Sequence, residues 1–198
     1  ARLGSAPVVM TGMATSFFAW HSAAITLRNA ACIEASEYLH YGRLEDDRRP
    51  LLIISRSGES VEIRALLQSI DSQRHVVGLS EGRDNGLARR AQTLLSYEAR
   101  EQSFWNTKSF LVSLSLALSL VGGMAGRREL APDRWLTRLS DLLSTMLAEP
   151  VDGIAEAAGN IAKAGVSLYV ARGHLLGIAS NGAVDLQEGL RLAVLAFS

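Results

Sequence analysis

Compact apolar runs alternate with helical periodicities through the first half of the chain. Residues 8–12, 51–55 and 75–79 are short apolar stretches, and 93–97 is a weaker fourth. Runs this short and this continuously apolar suit strands buried on both faces, as in a parallel sheet. Between them the spacing predicts helices over 16–30, 34–40, 59–71 and 85–91. Phe17, Ala24 and Leu27 recur at helical spacing in the first; Val61, Ala65 and Leu66 give the third an apolar face. Leu87 is expected to pack inward from the fourth. A helix over about 107–125 is apolar nearly all round, which predicts burial on several sides. Strand and helix in alternation specify an α/β fold, a three-layer α/β/α sandwich.

Past residue 126 the pattern changes. Residues 126–134 read as a linker, with Pro132 and Asp133 suited to a helix start before Trp135. Helices are expected near 133–148 and 150–163, divided by Pro150. An apolar strand follows at 165–170, then Ala171-Arg172-Gly173-His174, then a long helix from about 175 or 181 to the end. One strand and one helix do not make a second doubly wound unit. The expected organisation is therefore a first domain at 1–126, with linker helices and the beginning of a second at 127–198. An apolar helical pattern running to Phe197-Ser198 without a cap suggests a truncated chain.

Two hydroxyl-rich stretches, Gly12-Met13-Ala14-Thr15-Ser16 and Ser55-Arg56-Ser57-Gly58-Glu59-Ser60, each follow an apolar run and open a predicted helix. Backbone N–H groups at a helix start point outward, and neighbouring hydroxyls add donors. Such a pair of cradles suits an anion held by neutral groups, and a phosphate on a small molecule is the simplest candidate.

Composition narrows the classes. Of 198 residues, 48% are hydrophobic, enough for a substantial core, while 20% are charged, which leaves surface to be covered by a partner. Twenty basic and twenty acidic side chains cancel, which argues against non-specific nucleic-acid binding. The single cysteine, Cys32, excludes an intrachain disulfide and reads as a small buried side chain on a helix. No Cys/His spacing suits zinc, no metal or cofactor is called for, and a cytoplasmic location is favoured. Ser109, Ser113, Ser115 and Ser119 dilute the apolar stretch at 109–126 and Gly122-Gly123 interrupts it. That favours a helix packed between sheet and partner over a membrane span.

These segments resemble the sugar isomerase (SIS) domain family, above all the isomerase half of glucosamine-6-phosphate synthase and its double-SIS relatives. The match runs through Thr11–Ser16, Glu34–Tyr38, Ile54–Ser60, Glu101–Phe110, Ala171-Arg172-Gly173 and Asn181–Glu188. The resemblance implies a flavodoxin-like five-stranded parallel sheet binding phosphosugars at its strand ends, in a homodimer. Its implied ligands are sugar phosphates such as glucosamine-6-phosphate or fructose-6-phosphate, interconverted between aldose and ketose forms or deaminated. Some relatives only bind phosphosugars.

Carried onto this chain, the resemblance puts phosphate on Ser55, Ser57 and Ser60, with Thr15 on the neighbouring loop. Arg56 stands where glutamine is common and could pair with phosphate bidentately. Ser16, Asn106 and Thr107 would line the sugar, Asn106 replacing serine, and Phe104 and Trp105 replacing small residues. Lys108 opens the long helix, where its charge opposes the dipole unless an anion or carboxylate lies near. Glu188 matches the glutamate that moves the proton between adjacent carbons. Asn181 and Asp185 stand where a glutamate and a lysine occur, and 181, 185 and 188 share one helix face. The ring-opening histidine would come after residue 198.

Overall fold

The computed structural model describes residues 6–149 and 151–197. Five strands, β1 (Val8–Thr11), β2 (Ala30–Cys32), β3 (Leu51–Ile54), β4 (Val76–Glu81) and β5 (Thr93–Tyr97), form one parallel sheet. Their order is β2-β1-β3-β4-β5. Side chains alternate between two cores, as a period of two requires. Val8, Met10, Leu52, Ile54, Val77 and Leu79 face α1 (Thr15–Ala24) and α5 (Thr107–Ala125). Val9, Leu51, Ile53 and Val76 face α2 (Ala35–Tyr41), α3 (Val61–Ser69) and α4 (Gly86–Arg90). The result is the three-layer α/β/α sandwich with a five-stranded flavodoxin-like sheet.

Two features of the first half depart from the sequence pattern. The first helix ends at Ala24 rather than residue 30, and Ala30–Cys32 is the edge strand β2. Cys32 thus sits on a strand, not a helix, and burial pushes its thiol up to about 12. In α3 the inward face is Ile63 and Leu66, while Val61 is 73% exposed because it stands at the first helical position, at the sheet's rim.

The apolar helix α5 buries one face, through Ser109, Ser113, Leu114, Ala117 and Val121, rather than its whole circumference. Among the described residues it alone is long and apolar enough to cross a membrane, yet that face packs into the core against α1. Its end is set by Gly126, left-handed at φ 70, and Leu130 of a short 3-10 turn (Arg128–Leu130) closes on Gly122.

Beyond it lie α6 (Pro132–Ala148), α7 (Ile154–Ala164), β6 (Val166–Val170), α8 (Leu175–Leu190) and β7 (Ala193–Phe197). Pro150, the expected divider of α6 and α7, lies outside the described residues, as does Ser198. The last helix does not run to the chain's end: Arg191 turns left-handed at φ 54, and β7 pairs in parallel with β6 as a separate two-stranded sheet. Val194 is its fully buried residue, and the Gln187 side-chain amide donates to the Val194 carbonyl. Helix α8 packs on α1. Gly177 allows the closest approach, since any Cβ there would collide with Ser22 Oγ and the Phe18 carbonyl.

Candidate functional site

Strand order places the site. In a β2-β1-β3-β4-β5 sheet the connections leave β1 and β3 in opposite directions, opening a crevice between their carboxyl ends. The loops 12–14 and 55–60 flank it. Gly12 is required there, since a Cβ would lie 2.8 Å from the Ile54 carbonyl oxygen. Ala14 follows at φ 45, ψ −122, and its N–H donates to Glu34 Oε1 at 3.3 Å. That turn presents the start of α1, whose own first turn holds no acidic side chain, and Glu34 is the carboxylate that meets its N-cap amide.

A cavity of about 110 Å³ opens at this point, lined by Met13, Ala14, Thr15, Ser16, Arg56, Asn106, Ser109, Phe110 and Ser113. It brings together Thr15, Ser16, Arg56 and Asn106 from three separate segments. The three serines of the second stretch are arranged otherwise. Ser55 is buried and its Oγ accepts the Gly58 N–H at 3.2 Å; the Ser57 hydroxyl accepts the Glu59 N–H at 3.1 Å. Ser60 Oγ is sealed without a partner. The Ser55 and Ser57 hydroxyls shape the turn, and Arg56, exposed at its tip, is the member that reaches the cavity wall. Glu62 places a carboxylate in the first turn of α3, which disfavours an anion at that helix start.

The third wall is the start of α5. Asn106 precedes it in a left-handed conformation, φ 54, ψ 35, with no side-chain capping bond. Glu101 does the capping, accepting the Ser109 N–H at 3.0 Å and the Ser103 N–H at 2.9 Å. The Ser109 bond chiefly, with help from Ser103 and Lys108 against some burial cost, pulls the Glu101 carboxyl down to about 2. Lys108 turns away from the helix axis, its Nζ donating to the Arg100 carbonyl at 2.9 Å, and does not line the cavity.

Helix α8 climbs along α1 towards this wall. His174 Nδ1 lies 2.8 Å from the Ser22 carbonyl oxygen at its start, and Gly189 near its end abuts the Trp105 indole. Between them Asn181 is buried and donates to Asp185 Oδ2 at 2.9 Å, leaving its own Oδ1 without a partner. Burial first, and then the nearby Glu188, raise the Asp185 carboxyl, against the Asn181 bond. Glu188 itself is exposed. None of the three lines the cavity. Met13 and Ala14 of the first hydroxyl-rich stretch, and Ser109, Phe110 and Ser113 of α5, also line it, although the sequence assigned none of them a ligand-binding role. Ser109 and Ser113 carried a usable signal, two hydroxyls at i and i+4 in an apolar helix.

A larger cavity, about 470 Å³, lies at the sheet's β2 edge, lined by residues including Glu37, Tyr38, Tyr41, Arg43, Asp47 and Arg49. Two of its charges, Asp47 and Arg49, are spent on one another. Arg49 pairs with Asp47 at 2.7 Å, and the Tyr38 hydroxyl donates to the same carboxylate at 2.5 Å. Burial would raise the Asp47 carboxyl, but these bonds and the Arg74 charge hold it well below the usual range. Among the described residues no group of three or more His, Cys, Asp or Glu side chains is placed to hold a metal.

No family model matches the chain. Over 157 residues, 79% of its length, it is 29% identical to the glutamine–fructose-6-phosphate aminotransferase (isomerizing) of Methanothermobacter thermautotrophicus, spanning 26% of that protein. The C-terminal domain of the glucosamine-fructose-6-phosphate aminotransferase of Francisella tularensis superposes with a TM-score of 0.71 at 18% identity, over 98% of this chain and 58% of that one. The glucosamine-6-phosphate deaminase of Thermotoga maritima gives 0.72 at 17%, over 97% and 60%. The tagatose-6-phosphate ketose/aldose isomerase of Escherichia coli gives 0.67 at 17%, over 97% and 56%. The chain thus spans about a quarter of the curated relative and under two thirds of each of these solved chains. The chain is thus similar in fold to these aminotransferase, deaminase and isomerase structures and in sequence to the isomerizing aminotransferase, in line with its resemblance to sugar isomerase (SIS) domains.

Proposed function

We propose that the chain binds a sugar phosphate in the crevice between β1 and β3 and belongs to an aldose–ketose isomerase, or deaminase and isomerase, acting on a hexose or amino-sugar phosphate. The observation that carries this reading is the convergence of Thr15, Ser16, Arg56 and Asn106 on one cavity at the start of α1. Phosphate would take the α1 amides, the Thr15 and Ser16 hydroxyls and the Arg56 guanidinium, with Ser55 and Ser57 holding the adjoining turn. Asn106 would meet the sugar hydroxyls, and Lys108 would fix the loop beside them.

In the isomerase reading, Glu188 takes the proton from C2 of the open-chain sugar, forming an enediol, and returns it to C1. Asp185, held by Asn181, would stay protonated more readily than an ordinary carboxylate and so serve a hydroxyl as donor. The residues from 127 onward would form part of a second SIS-like domain, and the working protein would be a homodimer.

Fructose-6-phosphate should raise the melting temperature, and NAD should leave it unchanged. Exchange of a C1 hydrogen of fructose-6-phosphate with deuterated buffer, followed by NMR, should vanish in Glu188→Gln within the complete protein, because the enediol is reached from the ketose by loss of that proton. A second reading, a phosphosugar-binding regulatory module, is favoured by the exposure of Glu188 away from the cavity wall. Binding of fructose-6-phosphate without any C1 exchange in the complete wild-type protein selects it.

A further inference from the structure

An asparagine immediately before a helix ordinarily turns its side-chain oxygen onto the second or third helical amide. Asn106 does not. Its backbone is left-handed, its side chain makes no capping bond, and its Oδ1 is buried without a partner while the residue lines the cavity. The third helical amide, that of Ser109, donates instead to Glu101 Oε2, eight residues back, and the Ser109 hydroxyl adds a longer bond of 3.4 Å. Glu101 Oε1 holds the loop's own turn through the Ser103 N–H. A carboxylate outcompetes a neutral amide for this position because the helix start is positive and the bonds are charge-assisted.

We propose that Glu101 is a positioning residue: by capping α5 in place of Asn106, it frees the Asn106 amide to bind the uncharged hydroxyls of the ligand. The proposal rests on the phosphosugar reading and adds a division of labour to it. Glu101 neutralises the start of α5, so the anionic end of a ligand is directed to Arg56 and to the Thr15 and Ser16 hydroxyls on the opposite wall. The α5 wall then recognises the neutral end, for which a carboxamide is suited, since it both donates to and accepts from a hydroxyl.

A double-mutant cycle tests this, using titration calorimetry with fructose-6-phosphate and, separately, inorganic phosphate. Glycine replaces Asn106 because it tolerates the left-handed backbone. Glu101→Ala and Asn106→Gly should each weaken fructose-6-phosphate binding by roughly tenfold, one hydrogen bond's worth, and leave inorganic phosphate nearly unaffected. The double variant should bind no more weakly than either single one, because both remove the same contact. Glu101→Gln, which keeps one acceptor oxygen, should retain most of the affinity. Amide exchange at Ser109 should stay slow in Glu101→Ala, where Asn106 takes over the cap, and become fast in the double variant.

Losses that add in the double variant, or fast Ser109 exchange in Glu101→Ala, overturn the proposal while leaving the phosphosugar reading intact. A wild-type protein that binds neither probe overturns that reading, and with it the role given to Asn106.

Discussion

Ala14 occupies a backbone conformation that side chains rarely adopt, φ 45 with ψ −122, at the lip of the cavity. Such a position carries on the order of 1–3 kcal/mol of strain, held in place by surrounding contacts. Here these are the Glu34 carboxylate on the Ala14 N–H and the Phe18 N–H on the Ala14 carbonyl at 3.0 Å. Ala14→Gly removes the strain at the cost of a more flexible unfolded chain, about 0.5–1 kcal/mol. The net expectation is a gain of roughly 0–2.5 kcal/mol, read as a melting temperature raised by up to roughly 10 °C. A lowered melting temperature would mean that the turn is not strained in solution. Arg56 supplies the second test at this scale. If it pairs with phosphate, Arg56→Gln should weaken inorganic phosphate by about 1.5–3 kcal/mol in calorimetry, with the melting temperature unchanged because the side chain is exposed.

Among the elements, the start of α5 and the α1–α8 seam decide what the site can do. The Glu101 carboxyl ordinarily titrates near 4.5 and is held at about 2 in the folded chain. A group depressed in this way gives its full stabilisation above pH 4.5 and loses it as pH falls towards 2. Asp47, depressed further by its Arg49 and Tyr38 bonds, acts in the same direction, whereas the raised Asp185 acts in the opposite one. Glu101→Gln should therefore flatten the acid limb of the stability curve, measured by urea denaturation at stepped pH, and leave the neutral limb's slope alone. At the seam, Gly177→Val has no room beside Ser22 and Phe18 and should destabilise α8 packing by about 1–3 kcal/mol, through overpacking.

The same elements show what was legible beforehand. Val8–Thr11, Leu51–Ile54 and the residues of β4 declare themselves as buried strands because continuous apolar runs leave no solvent face. Ala30–Cys32 does not, being three small, half-buried residues on an edge, where pairing with β1 rather than side-chain burial makes the strand. Nor does β7, since Ala193–Phe197 continues the apolar pattern of α8 and only the left-handed Arg191 breaks the helix. At the site, Thr15, Ser16, Arg56 and Asn106 were legible from their place after strands and before helices. The engagement of Ser55 and Ser57 within their own turn depends on which hydroxyl meets which amide in three dimensions, and spacing does not encode that.

Across the whole molecule the two sheets differ in how completely they are covered. The five-stranded sheet carries a helical layer and a dry core on each face. Parallel strands are stable when both faces are covered, yet Val166, Leu168 and Val170 of β6 and Leu195 and Phe197 of β7 are half or more exposed. Helix α6 buries no residue at all, and Leu136, Leu142, Met146 and Leu147 stand open on it. An apolar surface of this extent on a chain of zero net charge favours association, and the homodimer proposed above is the occupant that tests most directly. Sedimentation velocity should give a dimer whose dissociation constant rises by tenfold or more, an estimate of roughly 1.4 kcal/mol, when Leu142 and Met146 are both changed to glutamate. Both side chains are exposed in the single chain, so the variant should keep its fold and its far-ultraviolet circular dichroism. A wild-type protein that sediments as a monomer at every concentration, or a dimer indifferent to the two glutamates, removes α6 from the interface.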